Sequence, residues 1–247
     1  MSMFKDQINQ ERLPKHVAVI MDGNGRWAKK IGKARIFGHR NGVKAVRETA
    51  EAAAELGIEH LTLYAFSTEN WNRPKLEVSA LMMLLVDTLK KEISTLNKNN
   101  IKLHAIGDLT KLPKKTYKAL MDGMESTKNN TRMTLHLALN YSSRWEIIEA
   151  TKKIAVLAKE EKIDPNNVDE TEFDKHLATA GIPDPELLIR TSGERRLSNF
   201  LLYQLAYTEL YFTDNYWPEF RKVDFYKALI DFQMRERRFG MTSDQIG

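Results

Sequence analysis

Apolar residues arrive in short, unbroken runs along this chain, and each run stops at a cluster of polar residues or glycines. Val17–Met21 is such a run, rich in β-branched side chains, the pattern of a strand buried on both faces. It stops at Asp22-Gly23-Asn24-Gly25, after which Arg26-Trp27-Ala28-Lys29-Lys30 opens a helix. His60–Phe66 ends at Ser67-Thr68-Glu69-Asn70-Trp71-Asn72-Arg73-Pro74, Ile101–Ile106 at Gly107-Asp108, and Met133–Leu139 at Asn140-Tyr141-Ser142-Ser143. Leu187-Leu188-Ile189 leads into Arg190–Phe200, and Thr208–Phe212 is the last run. Helical stretches fill the gaps: Val43–Leu56, stopped by Gly57 as a left-handed cap, Lys75–Asn97, and Pro113–Lys128. A capping box of Ser143 and Glu146 opens another, running to Glu161. Thr171–Asp174 caps a short one to Ala178, and Asp224–Phe239 closes the chain. Arg35–Gly42 reads as a basic, glycine-punctuated connector. Strand and helix alternating about six times predicts an α/β fold, a parallel sheet covered by helices on both faces. The polar clusters then share the edge where an open α/β sheet places its ligand crevice.

The turn after the first run carries candidate chemistry. Glycines at a strand-to-helix junction let backbone N–H groups converge on one concavity, with the positive end of a helix behind it. Arg26 adds a fixed charge, so phosphate is the natural guest. Asp22 is the anomaly, because a carboxylate at the lip of an anion site repels its ligand. A divalent cation between carboxylate and phosphate, as magnesium commonly provides, removes the conflict. Gly23–Ala28 (GNGRWA) also fits a dinucleotide fingerprint, but that pattern needs an acid about 20 positions on, ending the second strand. Here the second strand ends only at Phe66, and no G-x-x-x-x-G-K-[ST] occurs, so neither NAD nor a P-loop nucleotide fits.

Arg190, Arg195 and Arg196, with Ser192 and Ser198 around Gly193, form a second cluster of phosphate-type donors, set between a buried strand and the apolar Phe200-Leu201-Leu202-Tyr203. Two anions side by side repel strongly in a low-dielectric cleft, which again asks for a divalent cation. Glu209 sits in the run TELYF, where a carboxylate needs a partner, and is a candidate metal ligand or a candidate support to one. Leu81–Val86 has no polar break, so its helix is either packed centrally or forms the wall of a long apolar channel.

Composition narrows the partners. The 247 residues suffice for one sizeable core and contain no dividing linker, so a single domain over 1–247 is expected, with 1–15 as a flexible N-terminal arm. The net charge of +5 points to an anionic partner. Basic residues gather at strand ends beside apolar surface instead of spreading along one face, which argues against nucleic acid. There is no cysteine, hence no disulfide or thiolate chemistry, which suits a reducing compartment. The polar N-terminus lacks the core of a signal peptide, and the longest apolar run, Ala80–Val86, falls far short of the ~20 residues of a membrane span. A cytoplasmic location is expected.

The run His16–Arg26 with MDGNGRWA, the segments LYAFSTENWNRP (Leu63–Pro74) and PDPELLIRTSGERRLSNFLLYQLAYTELYF (Pro183–Phe212), and the tail RERRFG resemble the cis-prenyltransferases, in the same order and over nearly the whole length. The resemblance implies an α/β sandwich on a mainly parallel six-stranded sheet, acting as a homodimer. It implies condensation of isopentenyl diphosphate onto an allylic diphosphate such as farnesyl diphosphate, each new double bond Z, with Mg2+ as cofactor. The product would be a long polyprenyl diphosphate, a lipid-carrier precursor. Asp22 matches the essential acid that handles magnesium and diphosphate. Gly23, Asn24, Gly25 and Arg26 match the cradle of the allylic diphosphate, helped by Trp27, Arg35 and His39. Ser67, Thr68, Glu69, Trp71 and Arg73 match further substrate contacts. Arg190, Arg196 and Ser198, with Leu197 between them, match the isopentenyl diphosphate site, and Glu209 a magnesium ligand. Arg238-Phe239-Gly240 matches a tail that in relatives reaches toward the other subunit's site.

Asn70 matches a position named as proton acceptor. A neutral carboxamide is a poor base, so Asn70 is read as orienting a group while a diphosphate oxygen takes the proton. Two departures stand out. Ser142-Ser143 occupy a place where relatives often have two glycines, and Arg195 one where some have a histidine near the metal; an arginine cannot be a ligand. Trans-type prenyl synthases use D-D-x-x-D motifs and are disfavoured, since no two aspartates are adjacent. The resemblance leaves room for a peripheral membrane contact during product release.

Overall fold

A computed structural model describes residues 2–245. Six strands form one sheet: β1 (His16–Ile20), β2 (His60–Ser67), β3 (Ile101–Ile106), β4 (Met133–Tyr141), β5 (Leu187–Arg190) and β6 (Glu209–Phe212). Their order is β3-β4-β2-β1-β5-β6, and every pairing is parallel. The helices are α1 (Ser2–Lys5), α2 (Asn24–Lys30), α3 (Arg35–Leu56), α4 (Lys75–Lys98), α5 (Lys114–Thr127), α6 (Ser143–Lys159), α7 (Glu170–Asp174) and α8 (Lys222–Gln233).

Alternation along each strand sorts two cores. Val17 and Val19 of β1, Leu61 and Leu63 of β2, and Leu135, Leu137 and Leu139 of β4 pack with α3, α4, α5 and α8 in the larger one. Ala18, Ile20 and Ala138 face the other way, against Phe200, Leu201, Leu205 and Trp145 of α6. Both faces are therefore covered, one by four helices and the other by α6 and an irregular segment. The crossover from β1 runs toward β2 while β5 lies on its other side, so the strand order reverses between β1 and β5. That is where an open sheet leaves a crevice at its carboxyl ends.

Three local readings change. Arg35–Gly42 is not a connector but the first turns of α3. Its glycines disfavour a helix intrinsically, yet they are needed for close approach: a Cβ on Gly38 would stand 1.9 Å from the Asn24 carbonyl, and one on Gly42 2.5 Å from Asn24 Oδ1. The last helix ends at Gln233, so the basic tail is not helical. Residues read as a free N-terminal arm are tied down: Asn9 donates its N–H to Gln233 Oε1 at 3.0 Å and accepts from Gln233 Nε2 at 2.7 Å.

Gly38→Ala tests the close approach. It should lower stability by about 1–3 kcal/mol, the usual cost of overpacking, although alanine favours helix. Urea unfolding checks this; an unchanged or raised midpoint would mean that α2 yields freely.

Candidate active site

The crevice is built from the ends of β1 and β5. Ile20 and Arg190 are in register, which brings Arg190, 3% exposed, beside Asp22 two residues farther on. Arg190 Nη2 donates to Asp22 Oδ2 at 2.9 Å, Arg26 Nη2 lies 3.1 Å from Oδ1, and the Gly23 N–H donates to Oδ1 at 2.6 Å. Burial alone would push the Asp22 carboxyl up, but Arg190 and Arg26 together hold it below the usual carboxylate range. The anomalous carboxylate is therefore balanced by the very arginines expected to bind phosphate.

Backbone bonds fix the turn. Thr191 Oγ1 and the Trp217 N–H both donate to the Asp22 carbonyl, at 2.7 and 3.0 Å. Gly23 has a left-handed φ of 99°, and a Cβ there would meet the Tyr216 ring at 2.6 Å, so only glycine fits. The first helical bond of α2 runs from the Trp27 N–H to the Gly23 carbonyl, leaving the N–H groups of Asn24, Gly25 and Arg26 without helical acceptors. The Arg35 guanidinium lies over Gly25, where a Cβ would come within 2.9 Å of its Cζ.

The second cluster closes over the first. Arg190 Nη1 donates to Ser198 Oγ at 2.8 Å and to the Arg196 carbonyl. Glu194, to which the sequence reading assigns no role, links both clusters: it accepts from Arg26 at 2.6 Å and from Arg196. Its only signal was its place between the arginines.

A cavity of about 720 Å³ opens from this point and runs down between α3, α4 and the sheet. Asp22, Asn24, His39, Asn70, Arg73 and Arg190 stand at its mouth, with Ser67, Glu69, Arg196 and Ser198. Asn24 Oδ1, His39 Nε2 and Arg190 Nε are buried and have no hydrogen-bond partner, which is the signature of a polar ligand site. Burial, aided by the charges of Arg73 and Arg35 against that of Glu77, lowers His39 to about 4, so its ring is neutral at pH 7. Below the mouth the walls are apolar: Leu81, Leu84 and Leu85 face the cavity, while Met83 points outward and is 64% exposed. The apolar stretch of α4 is thus a cavity wall.

The remaining candidates frame the mouth. Asn70 Oδ1 accepts from the Ser67 N–H at 3.1 Å, and Glu69 from Asn199 Nδ2 at 2.7 Å. Thr68 donates to Glu69, and Trp71 Nε1 to Asn140 Oδ1 at 2.7 Å. Arg35 and Arg73 share Glu77. Trp27 donates to Glu219 at 3.0 Å and stacks on Phe37, outside the cavity, and Leu197 packs into the smaller core.

Glu209 is not brought to this site. It is in register with Leu187, and Leu187 with Val17, which places it about 16 Å of strand below Asp22. Its carboxylate is held by Arg235 Nη1 at 2.9 Å. Glu146 also differs from expectation: it closes no capping box with Ser143 but is buried, accepting from Tyr141 Oη at 2.6 Å, Gln204 Nε2 at 3.0 Å and the Ala178 N–H at 3.0 Å. Among the described residues no three acids or histidines are arranged so that together they could hold a metal ion. The donor set at Asp22 still suits Mg2+, which commonly takes one or two carboxylates together with substrate phosphates.

A charged mouth at the strand ends opening on a deep apolar cavity defines an enzyme for amphiphilic substrates, with an anionic head and a greasy tail. Comparison with known proteins agrees. Residues 20–240 match the Prenyltransf family model, that of undecaprenyl diphosphate synthase. The chain is 51% identical to the isoprenyl transferase of Chlorobaculum tepidum, over 95% of this chain and 88% of that one. It is 50% identical to the ditrans,polycis-undecaprenyl-diphosphate synthase ((2E,6E)-farnesyl-diphosphate specific) of Haemophilus influenzae, over 96% and 99%. The lavandulyl diphosphate synthase of Lavandula x intermedia, solved with dimethylallyl diphosphate, superposes with a TM-score of 0.91 at 39% identity, over 93% of this chain and 99% of that one. The chain belongs to the undecaprenyl diphosphate synthase family of prenyltransferases. It is a transferase.

Proposed function

We propose that this chain, as one domain, condenses isopentenyl diphosphate repeatedly onto an allylic diphosphate such as farnesyl diphosphate, each new double bond Z, to give a long polyprenyl diphosphate. The observation that carries the reading is the pairing of two arginine clusters with one apolar cavity. One diphosphate would lie on the N–H groups of Asn24–Arg26, with Arg26, Arg35 and His39; the other on Arg190, Arg196 and Ser198, with Ser67, Glu69 and Arg73 near both.

Asp22 would hold Mg2+, which neutralises the leaving diphosphate when bound. As the allylic C–O bond breaks, positive charge spreads over the allyl group and negative charge over the leaving group. Arg26 and the backbone N–H groups stabilise that anion electrostatically. Arg190 and Arg196 hold the second substrate so that its double bond faces the cation, which is a proximity effect. The new C–C bond forms, and the proton then lost from carbon goes to a diphosphate oxygen. Asn70, held by the Ser67 N–H, orients the group that loses it.

Magnesium dependence, a homodimer and a cytoplasmic location belong to the same reading. Ile148 and Val156, more than half exposed on α6, support a subunit contact, and no helix among the described residues is long and apolar enough to cross a membrane. A membrane contact during product release is part of the proposal. Glu209 enters it as an anchor of the C-terminal tail and not as a metal ligand within its own chain.

Radiolabelled isopentenyl diphosphate, farnesyl diphosphate and Mg2+, with products sized by chromatography, test the reading. A series of products growing by C5 units is expected; no incorporation overturns it. In the same assay Arg196→Ala should raise KM for isopentenyl diphosphate about 10–100-fold, the loss of one charged hydrogen bond of about 1.5–3 kcal/mol. The KM for farnesyl diphosphate should move far less. Equal effects on both would remove the assignment of separate subsites.

A further inference from the structure

The cavity has a closed floor and a polar side. At its lower end Leu96, Ile101, Leu103 and Leu135 are each no more than 8% exposed, so they seal the bottom against the sheet. Between α3 and α4 the wall changes character. Arg47 and Glu51 of α3 and Glu92 of α4 line the cavity there, below the apolar walls. The Arg35–Glu77 pair joins the two helices at the mouth, and a second ion pair clasps them at this depth: Arg47 Nε donates to Glu92 Oε2 at 2.9 Å and Nη2 to Oε1 at 2.5 Å. Glu92 is turned inward, 15% exposed at its side chain, and Arg47 outward at 49%. Such a two-pronged pair fixes geometry as well as charge.

We propose that the Arg47–Glu92 pair is the side closure of the cavity and sets the length of the chain it accepts. The inference rests on the prenyl-elongation reading and deepens it. A tail that reaches the floor can grow only by displacing buried apolar side chains or by leaving sideways between α3 and α4. The lateral route passes the pair, and an apolar tail can pass only by separating the two charges. Separation leaves a charge without its partner next to hydrocarbon, which is costly. Elongation therefore stops when the tail meets the clasp. Glu51, one turn beyond Arg47, adds a second carboxylate whose charge acts on the guanidinium.

The test is product length under the radiolabelled assay, with Arg47→Ala, Glu92→Ala, the milder Glu92→Gln, and the charge-swapped double variant Arg47→Glu/Glu92→Arg. Each single variant should shift the main product by at least one C5 unit toward longer chains, and the swap should return it toward the original length. A purely structural pair would lower the unfolding midpoint and leave product length unchanged. Unchanged or shorter products in the single variants, or a swap that stays long, overturn the inference. Glu92→Gln, which keeps the side-chain shape, decides the matter if an alanine variant fails to fold. Failure of the unmutated chain to elongate at all would overturn the prenyl-elongation reading instead, so the two failures are distinct.

Discussion

Asp22→Ala is expected to lower turnover about 10³-fold, the upper part of the range lost when one group of an electrostatic site is deleted. The structure adds that this variant also loses stability. Asp22 is the acidic partner of Arg190, which is 3% exposed, and of Arg26 beside it. Removing the carboxylate leaves two guanidinium groups facing each other across a half-buried gap. A cost of about 1–3 kcal/mol follows, the penalty of a buried group stripped of its partner. Asp22→Asn separates the effects. Its amide oxygen can still accept from the Gly23 N–H, yet it cannot balance the arginines or hold a divalent cation. Turnover should fall nearly as far as in the alanine variant. A double variant with Arg190→Ala should regain part of the stability and none of the activity. Should Asp22→Asn retain turnover within tenfold of the unmutated chain, Asp22 has no part in the chemistry.

Much of this was legible in the chain itself. The six strands stand where the apolar runs predict them, because a strand buried on both faces must be apolar throughout. The two arginine clusters were visible as composition, and their meeting followed from parallel strands ending on one edge. What was hidden is tertiary. Gly38 and Gly42 read as breakers because intrinsic propensity counts only the helix they sit in, and not the Asn24 backbone that presses on them. Glu209 was rightly read as a carboxylate in need of a partner. That partner is Arg235, 26 residues away, in a tail that the sequence pattern placed within the last helix. Arg237 is likewise drawn off, to Glu186 at 2.6 Å. Glu194 shows the reverse case: a residue surrounded by the right signals whose role depends on which arginines it happens to face.

A second large effect is expected from acid, and it comes from a part of the sheet remote from the proposed chemistry. His16, His60, His136 and His104 stand on neighbouring strands, and each ring lies within 6.0 Å of another. His60 Nδ1 meets His136 Nε2 at 3.0 Å, and His136 Nδ1 meets His104 Nδ1 at 3.0 Å. His16 spans Thr62 Oγ1 at 2.7 Å and the Pro183 carbonyl at 2.6 Å. Burial lowers His16 to about 4, against the Pro183 carbonyl and with the help of His60; burial and then the charges of the other three rings and Lys102 lower His136 to about 2. His60 and His104 are lowered as well, again mainly by burial, with Glu59 opposing and Lys102 assisting. The unfolded chain therefore takes up protons below pH 6.5 that the folded chain refuses. Stability is full above that pH and falls as the pH drops toward 4, by roughly 3 kcal/mol from His16 alone. Against a usual total of about 5–15 kcal/mol, this is a large share. Asp22, Glu55 and Asp108 have lowered values and stay ionised in the upper part of that window, so they add little there. Glu146 is raised and acts with the opposite sign, softening the fall. Urea midpoints should hold from pH 7.5 to about 6.5 and decline from there to pH 5, and His136→Asn should flatten that slope. A midpoint independent of pH over that range would mean that these rings accept protons without strain, and that the four-strand ladder is looser than its distances indicate.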